Sequence, residues 1–159
     1  MDTTLRELTQ EELDTIQLDT DLAYSICKKY VLEFEGTFTS KILSKTFILW
    51  LEDKSEIIEK DYDSNFNSSN LKKPTATMIK YALGSAFGEV LNTITGSDWM
   101  HVTDQYGKEI CIHHKSANYT SFPYSSVEKR IKSREALFFE SIENLMKEEC
   151  LRRSLKSKT

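Results

Sequence analysis

The stretch YALGSAFGEVLNTITG, residues 81–96, decides the fold. Apolar residues recur in it and just before it at three- and four-residue steps, which predicts a helix with an apolar stripe wide enough to be covered on most sides. Pro74 and Thr75 are suited to open this helix, and Gly96 to end it. We therefore expect a central helix. Its stripe comprises Met78, Ile79, Ala82, Leu83, Ala86, Phe87, Val90, Leu91 and Ile94.

Two glycines, Gly84 and Gly88, lie four residues apart on the predicted helix. Each costs about 1 kcal/mol relative to alanine in a helix interior. We therefore expect a compensating close approach by a strand or a helix that crosses here. The run GSAFG lacks the spacing and the preceding strand of a dinucleotide- or phosphate-binding loop, which excludes that class of site.

After residue 96 the hydrophobic period changes to two, which indicates β-strands. Strands are predicted at 99–103, 108–114 and 119–122, joined by turns at 104–107 and 115–118. The first turn ends in a glycine suited to positive φ, and a proline ends the third strand. Three consecutive antiparallel strands form a meander.

Helices are predicted before the meander as well. Thr9 and Glu12 have the spacing of a capping box, and the helix that they open is expected to end at Gly36. A second helix is predicted from Ser44 to Ile58, followed by a polar loop over 61–74.

Helix is predicted again from Ser126, and a long amphipathic helix over 133–155. The expected fold class is α+β, a small three-stranded antiparallel meander packed against several α-helices. One domain is expected over residues 1–159, with a helical region and flexible loop at 36–70 and a frayed basic tail at 150–159. The core face of the long helix is predicted to carry Leu137, Phe138, Ile142, Leu145, Met146 and Leu151.

Composition excludes several classes of protein. Eight Phe, seven Tyr and two Trp are too many for a disordered chain, and no apolar run is long enough to cross a membrane. No secretory-signal pattern opens the chain, so we expect a cytoplasmic protein. The chain has three cysteines, and no two of them form a CxxC motif, which excludes a zinc ribbon and a thioredoxin-type site.

Charge is distributed unevenly along the chain. Residues 1–70 carry 15 acidic and 7 basic side chains, a net charge of −8, whereas residues 71–159 carry 10 acidic and 14 basic ones, a net charge of +4. The acidic half would repel phosphate groups, so we do not expect nucleic acid as the ligand.

Four short runs in the chain resemble one known family. They are YALGSAFGEVL at 81–91, the DW pair that ends at Trp99, VTDQYG at 102–107 and FPYSSVEKR at 122–130. In this order they resemble a family of small bacterial domains of unknown function, over about residues 47–143. VTDQYG has glutamine where that family commonly has an acidic residue. The resemblance implies a bacterial source and a shared fold, but no reaction and no catalytic residue.

An acidic surface is the first candidate binding site. Its carboxylates are predicted on the second helix, opposite the apolar stripe, and in the following loop, next to aromatic side chains. Complementary charge speeds association with a basic protein, and buried aromatic rings supply binding energy. An ordinary solvated helix face remains the alternative interpretation. The candidate partner-binding residues are Glu52, Asp53, Glu56, Glu59, Asp61, Tyr62 and Asp63.

A groove between the central helix and the sheet is the second candidate. Glu89 there is suited either to general base catalysis or to accepting a hydrogen bond from a neighbouring turn or strand. Lys129, Arg130 and Arg134 suit either a phosphate or acidic partner, or salt bridges to Asp104 or Glu89. The residues predicted for this groove are Glu89, Trp99, His101, Asp104, Tyr106 and Arg130.

We expect no metal site, no cofactor and no catalytic thiol. His113 and His114 are adjacent on a predicted strand and point to opposite faces, so they cannot both bind one ion. Cys111 lies in an apolar strand, where burial raises a thiol pKa and makes it a poor nucleophile.

The function that we expect is non-catalytic protein binding. A small, acidic, aromatic-rich domain without a catalytic constellation suggests a bacterial immunity protein, which neutralises a cognate toxin by occluding its active site. The expected partner is a basic toxin domain bound at the acidic surface. The alternative is a small enzyme or ligand-binding domain that uses the groove, and a deep pocket holding a carboxylate with a strongly shifted pKa would favour it. A self-assembling structural subunit is a third possibility.

Overall fold

The computed structural model describes residues 3–59 and 66–156. Within them the fold is α+β, as predicted, with five helices and a four-stranded antiparallel sheet whose strand order follows the chain. The elements are β1 (Thr4–Glu7), α1 (Gln10–Tyr30), α2 (Ser40–Glu52), α3 (Ala76–Thr95), β2 (Asp98–Asp104), β3 (Gly107–His114), β4 (Tyr119–Ser121), α4 (Pro123–Ser133) and α5 (Phe138–Lys156).

Helix α3 is the centre of the molecule, and it contacts the other four helices as well as β2 and β3. Both predicted ends are confirmed. The Thr75 side chain accepts a 3.1 Å hydrogen bond from the Met78 amide at the start, and Gly96 adopts a left-handed conformation at the end. The buried residues of α3 are Met78, Ile79, Ala82, Leu83, Gly84, Ser85, Ala86, Phe87, Gly88, Val90 and Leu91.

The glycine pair on α3 receives two aromatic rings. A Cβ atom at Gly84 would lie 2.5 Å from Cδ1 of Tyr124, which belongs to α4, and a Cβ atom at Gly88 would overlap the ring of Trp99, which belongs to β2. The two rings also stack on each other, with centroids 5.8 Å apart. The close approach predicted from the glycines is confirmed, and side chains from one helix and one strand make it.

The sheet has four strands, so the prediction of three was wrong. Strands β2 and β3 form the predicted hairpin, and Gly107 at its turn has a φ of 127°. The additional strand, β1, pairs with β2 so that Leu5 lies opposite Val102. Four residues carry too little pattern to predict a strand, and the conformation of β1 depends on a partner strand that lies beyond three helices in the chain.

Helix α1 begins as predicted but ends earlier. The Thr9 side chain accepts a hydrogen bond from the Glu12 amide, and the Glu12 carboxylate accepts one from the Thr9 amide. The helix ends at Tyr30, not at Gly36. Phe34 is nevertheless buried beyond this end, and it stacks on the Phe38 ring. A buried loop residue happens to continue the apolar spacing of α1, which made the predicted helix too long.

Helix α2 is also shorter than predicted, because it ends at Glu52. Beyond it Ile57 forms a parallel bridge with Lys73, and the Ile58 amide donates to the Lys73 carbonyl over 3.0 Å. The acidic residues after Glu52 therefore do not share a helix face. Apolar periodicity had predicted helix as far as Ile58, but Ile57 and Ile58 instead pair with Lys73, which is distant in the chain.

The buried face of the C-terminal helix agrees only in part with the prediction: Phe138 and Met146 are buried as expected, and Ile142 packs against the core. Phe138, Phe139, Met146 and Cys150 are buried in α5. The helix continues to Lys156, so it includes most of the basic segment for which we predicted a frayed tail. No helix in the described ranges combines the length and apolarity needed to cross a membrane. Three leucines predicted for the core face are exposed instead: Leu137, Leu145 and Leu151.

We predict that Gly88→Ala destabilises the protein by about 2 kcal/mol, because the new methyl group overlaps the Trp99 ring. The same exchange in an unobstructed helix would stabilise by about 1 kcal/mol. Urea unfolding of the two single variants and of the Gly88→Ala, Trp99→Ala double variant measures the coupling. In the Trp99→Ala background, Gly88→Ala should become stabilising. An equal loss in both backgrounds would show that Trp99 is not the cause.

Candidate functional site

A cavity of about 450 Å³ lies between α1, α3, α4 and β3. Apolar and aromatic side chains share its lining with ionisable groups, a mixture typical of ligand pockets. We call this cavity the Asp19 cleft. It is lined by Glu12, Thr15, Ile16 and Asp19 from α1, Lys80 and Tyr81 from α3, Lys108, Glu109 and Ile110 from β3, and Tyr124 and Ser125 from α4.

Asp19 is the unusual group of this cleft. Its exposed fraction is only 7%, and in the described part of the chain its carboxylate has neither a hydrogen-bond partner nor an ion-pair partner. Burial raises the pKa of Asp19 from 3.8 to about 6, and no cation among the described residues offsets that shift. The pattern of α1 places it there, because Asp19 lies in the buried stripe between Ile16 and Ala23. A carboxylate inside an apolar stripe is the sequence signal that would have identified it.

Tyr124 bounds the cleft from α4. Its hydroxyl oxygen lies 2.7 Å from that of Ser85, and the two groups share a hydrogen bond. Burial raises the pKa of Tyr124, the Ser85 hydrogen bond partly offsets this, and the negative charge of Asp19 adds to the rise. Because its ring rests on Gly84 and stacks on Trp99, packing against α3 determines where Tyr124 lies.

The other carboxylates of the cleft are already engaged. Glu12 forms an ion pair with Arg6 at 2.8 Å, which lowers the pKa of Glu12 to about 2. Glu109 accepts a hydrogen bond from the hydroxyl of a serine on α4. Lys80 pairs with Glu128 at 2.6 Å. Of the three carboxylates that line the cleft, only Asp19 lacks a partner among residues 3–59 and 66–156.

The residues of the predicted groove do not form one pocket. Glu89 and Trp99 do come together, since Trp99 Nε1 donates to Glu89 Oε1 over 2.9 Å. Of the two roles considered for Glu89, this contact matches the acceptance of a hydrogen bond from a neighbouring strand. His101 lies two residues further along β2, and its Nδ1 atom is buried without a partner in the described structure.

The remaining groove residues are dispersed. Asp104 and Tyr106 form the β2–β3 turn, where the Tyr106 amide donates to Asp104 Oδ1 over 2.8 Å and the Tyr106 side chain is 88% exposed. Arg130 pairs with Glu135 at 2.5 Å, not with Asp104 or Glu89 as one of our predictions had it.

Glu89 lines a different cavity, of about 610 Å³, between α3, α5 and the segment before α2. Glu143 also lines this cavity, and it accepts a 2.8 Å hydrogen bond from the Ser40 hydroxyl. Glu89 accepts its own hydrogen bond from Trp99. Both carboxylates in this cavity are therefore satisfied, in contrast to Asp19.

The predicted acidic surface is partly neutralised by internal contacts. Asp53 accepts a 2.6 Å hydrogen bond from the Tyr30 hydroxyl, so it is tied to the end of α1. The Glu56 carboxylate lies 3.9 Å from Lys72 Nζ. Glu52 and Glu59 are exposed, while Asp61, Tyr62 and Asp63 lie outside the described residues.

The two histidines of β3 and the Cys111 thiol have ordinary structural surroundings. His113 Nδ1 lies 2.8 Å from the Thr120 hydroxyl, and His114 Nδ1 accepts a 3.0 Å hydrogen bond from the Ala117 amide. Cys111 is buried and unpaired, and burial raises its pKa to about 12. Within the described ranges no group of three or more metal-binding side chains comes together.

We predict that Asp19→Asn stabilises the protein at neutral pH. The folded state retains a proton on Asp19 between pH 3.8 and about 6, where the unfolded chain has lost it. The carboxylate therefore lowers the free energy of unfolding progressively as the pH rises through this window, and fully above it. We expect a gain on the order of 2 kcal/mol above pH 7, which disappears near pH 4.

Urea unfolding of both proteins across this pH range measures the effect. Asp21→Asn is the matched control, because Asp21 is exposed on the same helix. It should change the stability little at any pH. A gain from Asp19→Asn that does not depend on pH would contradict the assignment of a buried charge.

Comparison with protein families gives one match. The model of the family described as "Domain of unknown function (DUF3806)" matches residues 60–139, which include α3, the β2–β4 strands and α4. Most of the lining of the Asp19 cleft falls within the match, whereas α1 lies outside it. No curated protein and no solved structure matches the chain. Because the match covers half of the 159 residues, the chain belongs to this family of domains of unknown function, DUF3806.

Proposed function

We propose that this protein is a ligand-binding domain and that the Asp19 cleft is its binding site. One observation carries the proposal: Asp19, a residue only 7% exposed, lines an open cavity, and its carboxylate has no partner among the described residues. An unpaired buried charge costs several kcal/mol unless something compensates it. A cleft that retains such a group is a candidate binding site on physical grounds.

Binding without catalysis is the role that we propose. Two hydroxyl groups of the cleft are engaged with other side chains: Tyr124 with Ser85, and Ser125 with Glu109. The raised pKa of Tyr124 makes it a poor base at neutral pH. No imidazole or thiol is among the described residues that line the cleft. These features favour recognition of a ligand over its chemical conversion.

A fragment screen tests this proposal by protein NMR. We expect fragments to perturb the signals of residues lining the Asp19 cleft, and Ile110→Trp to abolish those perturbations because the larger side chain fills the cavity. Ile94→Trp is the matched control, since Ile94 lines the Glu89 cavity instead. If no fragment of any charge perturbs the cleft, or if Ile110→Trp leaves binding intact, the proposal is wrong.

A second candidate function is binding of a basic protein through the exposed part of the acidic surface. Ile57 and Leu71 are 55% and 86% exposed. Hydrogen bonds of Lys73 to Glu56 and Ile58 bring their two segments side by side. Exposed apolar side chains within an acidic rim match the anatomy of a protein interface.

In this second proposal the protein is a bacterial immunity protein, and its partner is a basic toxin domain whose active site it occludes. Glu52, Glu56 and Glu59 would steer association, and Ile57 and Leu71 would supply the buried contacts. Asp53 is not part of this proposed binding surface, because its carboxylate is engaged by the Tyr30 hydroxyl within the protein.

Co-expression with the product of a neighbouring toxin-like gene tests the second proposal. We expect this protein to suppress the toxicity, and the Glu56→Lys, Glu59→Lys variant to slow association by roughly tenfold at low salt and to weaken its salt dependence. Glu148→Lys is the control, because Glu148 is an exposed carboxylate on α5. Unchanged lethality would overturn the proposal, as would equal effects of both charge reversals.

A further inference from the structure

We infer that the Asp19 cleft binds an organic cation, whose charged nitrogen pairs with the Asp19 carboxylate while its apolar stem lies against the walls of the cleft. The inference rests on the ligand-binding function proposed above and names the chemical class of the ligand. It follows from three features of the cleft: a carboxylate without a partner among the described residues, the engagement of the other two lining carboxylates, and aromatic side walls.

The charge balance of the cleft favours a positive ligand. Glu12 is paired with Arg6, and Glu109 accepts a serine hydrogen bond, so each already has a polar partner. Asp19 is the lining carboxylate that still lacks a hydrogen-bond donor or an opposite charge among the described residues, and a ligand would supply it. A bound ammonium or guanidinium group supplies both hydrogen-bond donors and the opposite charge, which is how buried carboxylates are normally satisfied.

The lysines of the cleft do not fill this role. Lys80 directs its ammonium group to Glu128, at 2.6 Å. Lys108 is exposed near the start of β3. Burial alone accounts for the shifted pKa of Asp19, and neither Lys80 nor Lys108 contributes to it, so neither lysine compensates its charge.

The walls of the cleft suit the rest of such a ligand. Ile16 and Ile110 provide aliphatic surface, and the rings of Tyr81 and Tyr124 lie 5.7 Å apart, centroid to centroid. Lys80 Nζ already lies 5.1 Å from the centroid of the Tyr81 ring, which shows that this ring accepts a cation. An aromatic pair next to a carboxylate is a combination that recognises alkylammonium groups.

An anionic ligand is the opposing hypothesis. The two lysines and the Tyr124 hydroxyl would have to hold it, while the charge of Asp19 repelled it. Such a ligand would bind better as Asp19 is protonated or replaced by asparagine. The two hypotheses therefore predict opposite effects of Asp19→Asn: weaker binding of a cationic ligand, but tighter binding of an anionic one.

Three probes with one stem separate these hypotheses: hexylammonium, hexanoate and hexanol. NMR titration at pH 7.5 measures their affinities for the wild-type protein, Asp19→Asn and the control Asp21→Asn. We expect hexylammonium to bind the cleft most tightly of the three and to lose roughly tenfold or more in affinity in Asp19→Asn. Hexanol should bind both proteins equally, and Asp21→Asn should behave as wild type.

The possible outcomes separate the cation inference from the more general proposal that the cleft binds a ligand. Binding of hexanol or hexanoate in the cleft without preference for hexylammonium would overturn the cation inference and leave the ligand-binding function standing. Tighter hexylammonium binding that survives Asp19→Asn would also overturn it. Absence of binding by all three probes and by every fragment would overturn both.

The source of the cation is a separate arm of the experiment. A short peptide with one central lysine is compared with hexylammonium, and its norleucine counterpart is the control. Tighter binding of the lysine peptide would identify a protein side chain as the ligand, whereas tighter binding of hexylammonium would identify a free amine. Both results support the cation inference. Binding of the norleucine peptide as tightly as the lysine peptide would contradict it.

Discussion

The seating of two aromatic rings on the glycines of α3 is the contact on which the rest of the structure depends. Tyr124 rests on Gly84, Trp99 rests on Gly88, and the two rings stack on each other. One set of contacts therefore holds α4 and β2 against the central helix. Since α3 and α4 form two sides of the Asp19 cleft, the same packing positions the cleft. The helix-propensity cost of the two glycines is offset by burial of large aromatic surfaces.

Against this well-packed frame, Asp19 is the departure. Its neighbours on the same face of α1 are buried and apolar, and a leucine or alanine there would complete the stripe. The carboxylate instead raises the free energy of the folded state. Natural sequences depart from the packing rules chiefly at functional sites, and this departure lies in a cavity rather than in the closed core. Asp19 both destabilises the folded state and lies in a cavity that a ligand can enter. We therefore place the function there and not at Glu89, whose carboxylate already accepts a hydrogen bond from Trp99.

The sequence predicted best where local contacts dominate. The apolar period of α3, the capping box of α1 and the glycine turn of the β2–β3 hairpin all depend on residues within a few positions of each other. Prediction failed where distant segments decided the conformation. Strand β1 needs β2, and the end of α2 is set by the bridge of Ile57 to Lys73. On α5, Phe139 is buried against Phe87 of α3, a contact between residues far apart in the chain.

The candidate site shows the same division. From the sequence alone came the α+β class, the central helix with its glycine pair, the hairpin and the hydrogen-bonding role of Glu89, because periodicity, turn chemistry and short spacing encode them. Only the tertiary structure decided that α1, α3, α4 and β3 enclose a cavity and that Asp19 lines it. Burial and the absence of a partner are properties of the space around a side chain, to which residues far apart in the chain contribute. The pattern of α1 places Asp19 on the buried face, but it does not show which residues of other elements surround it.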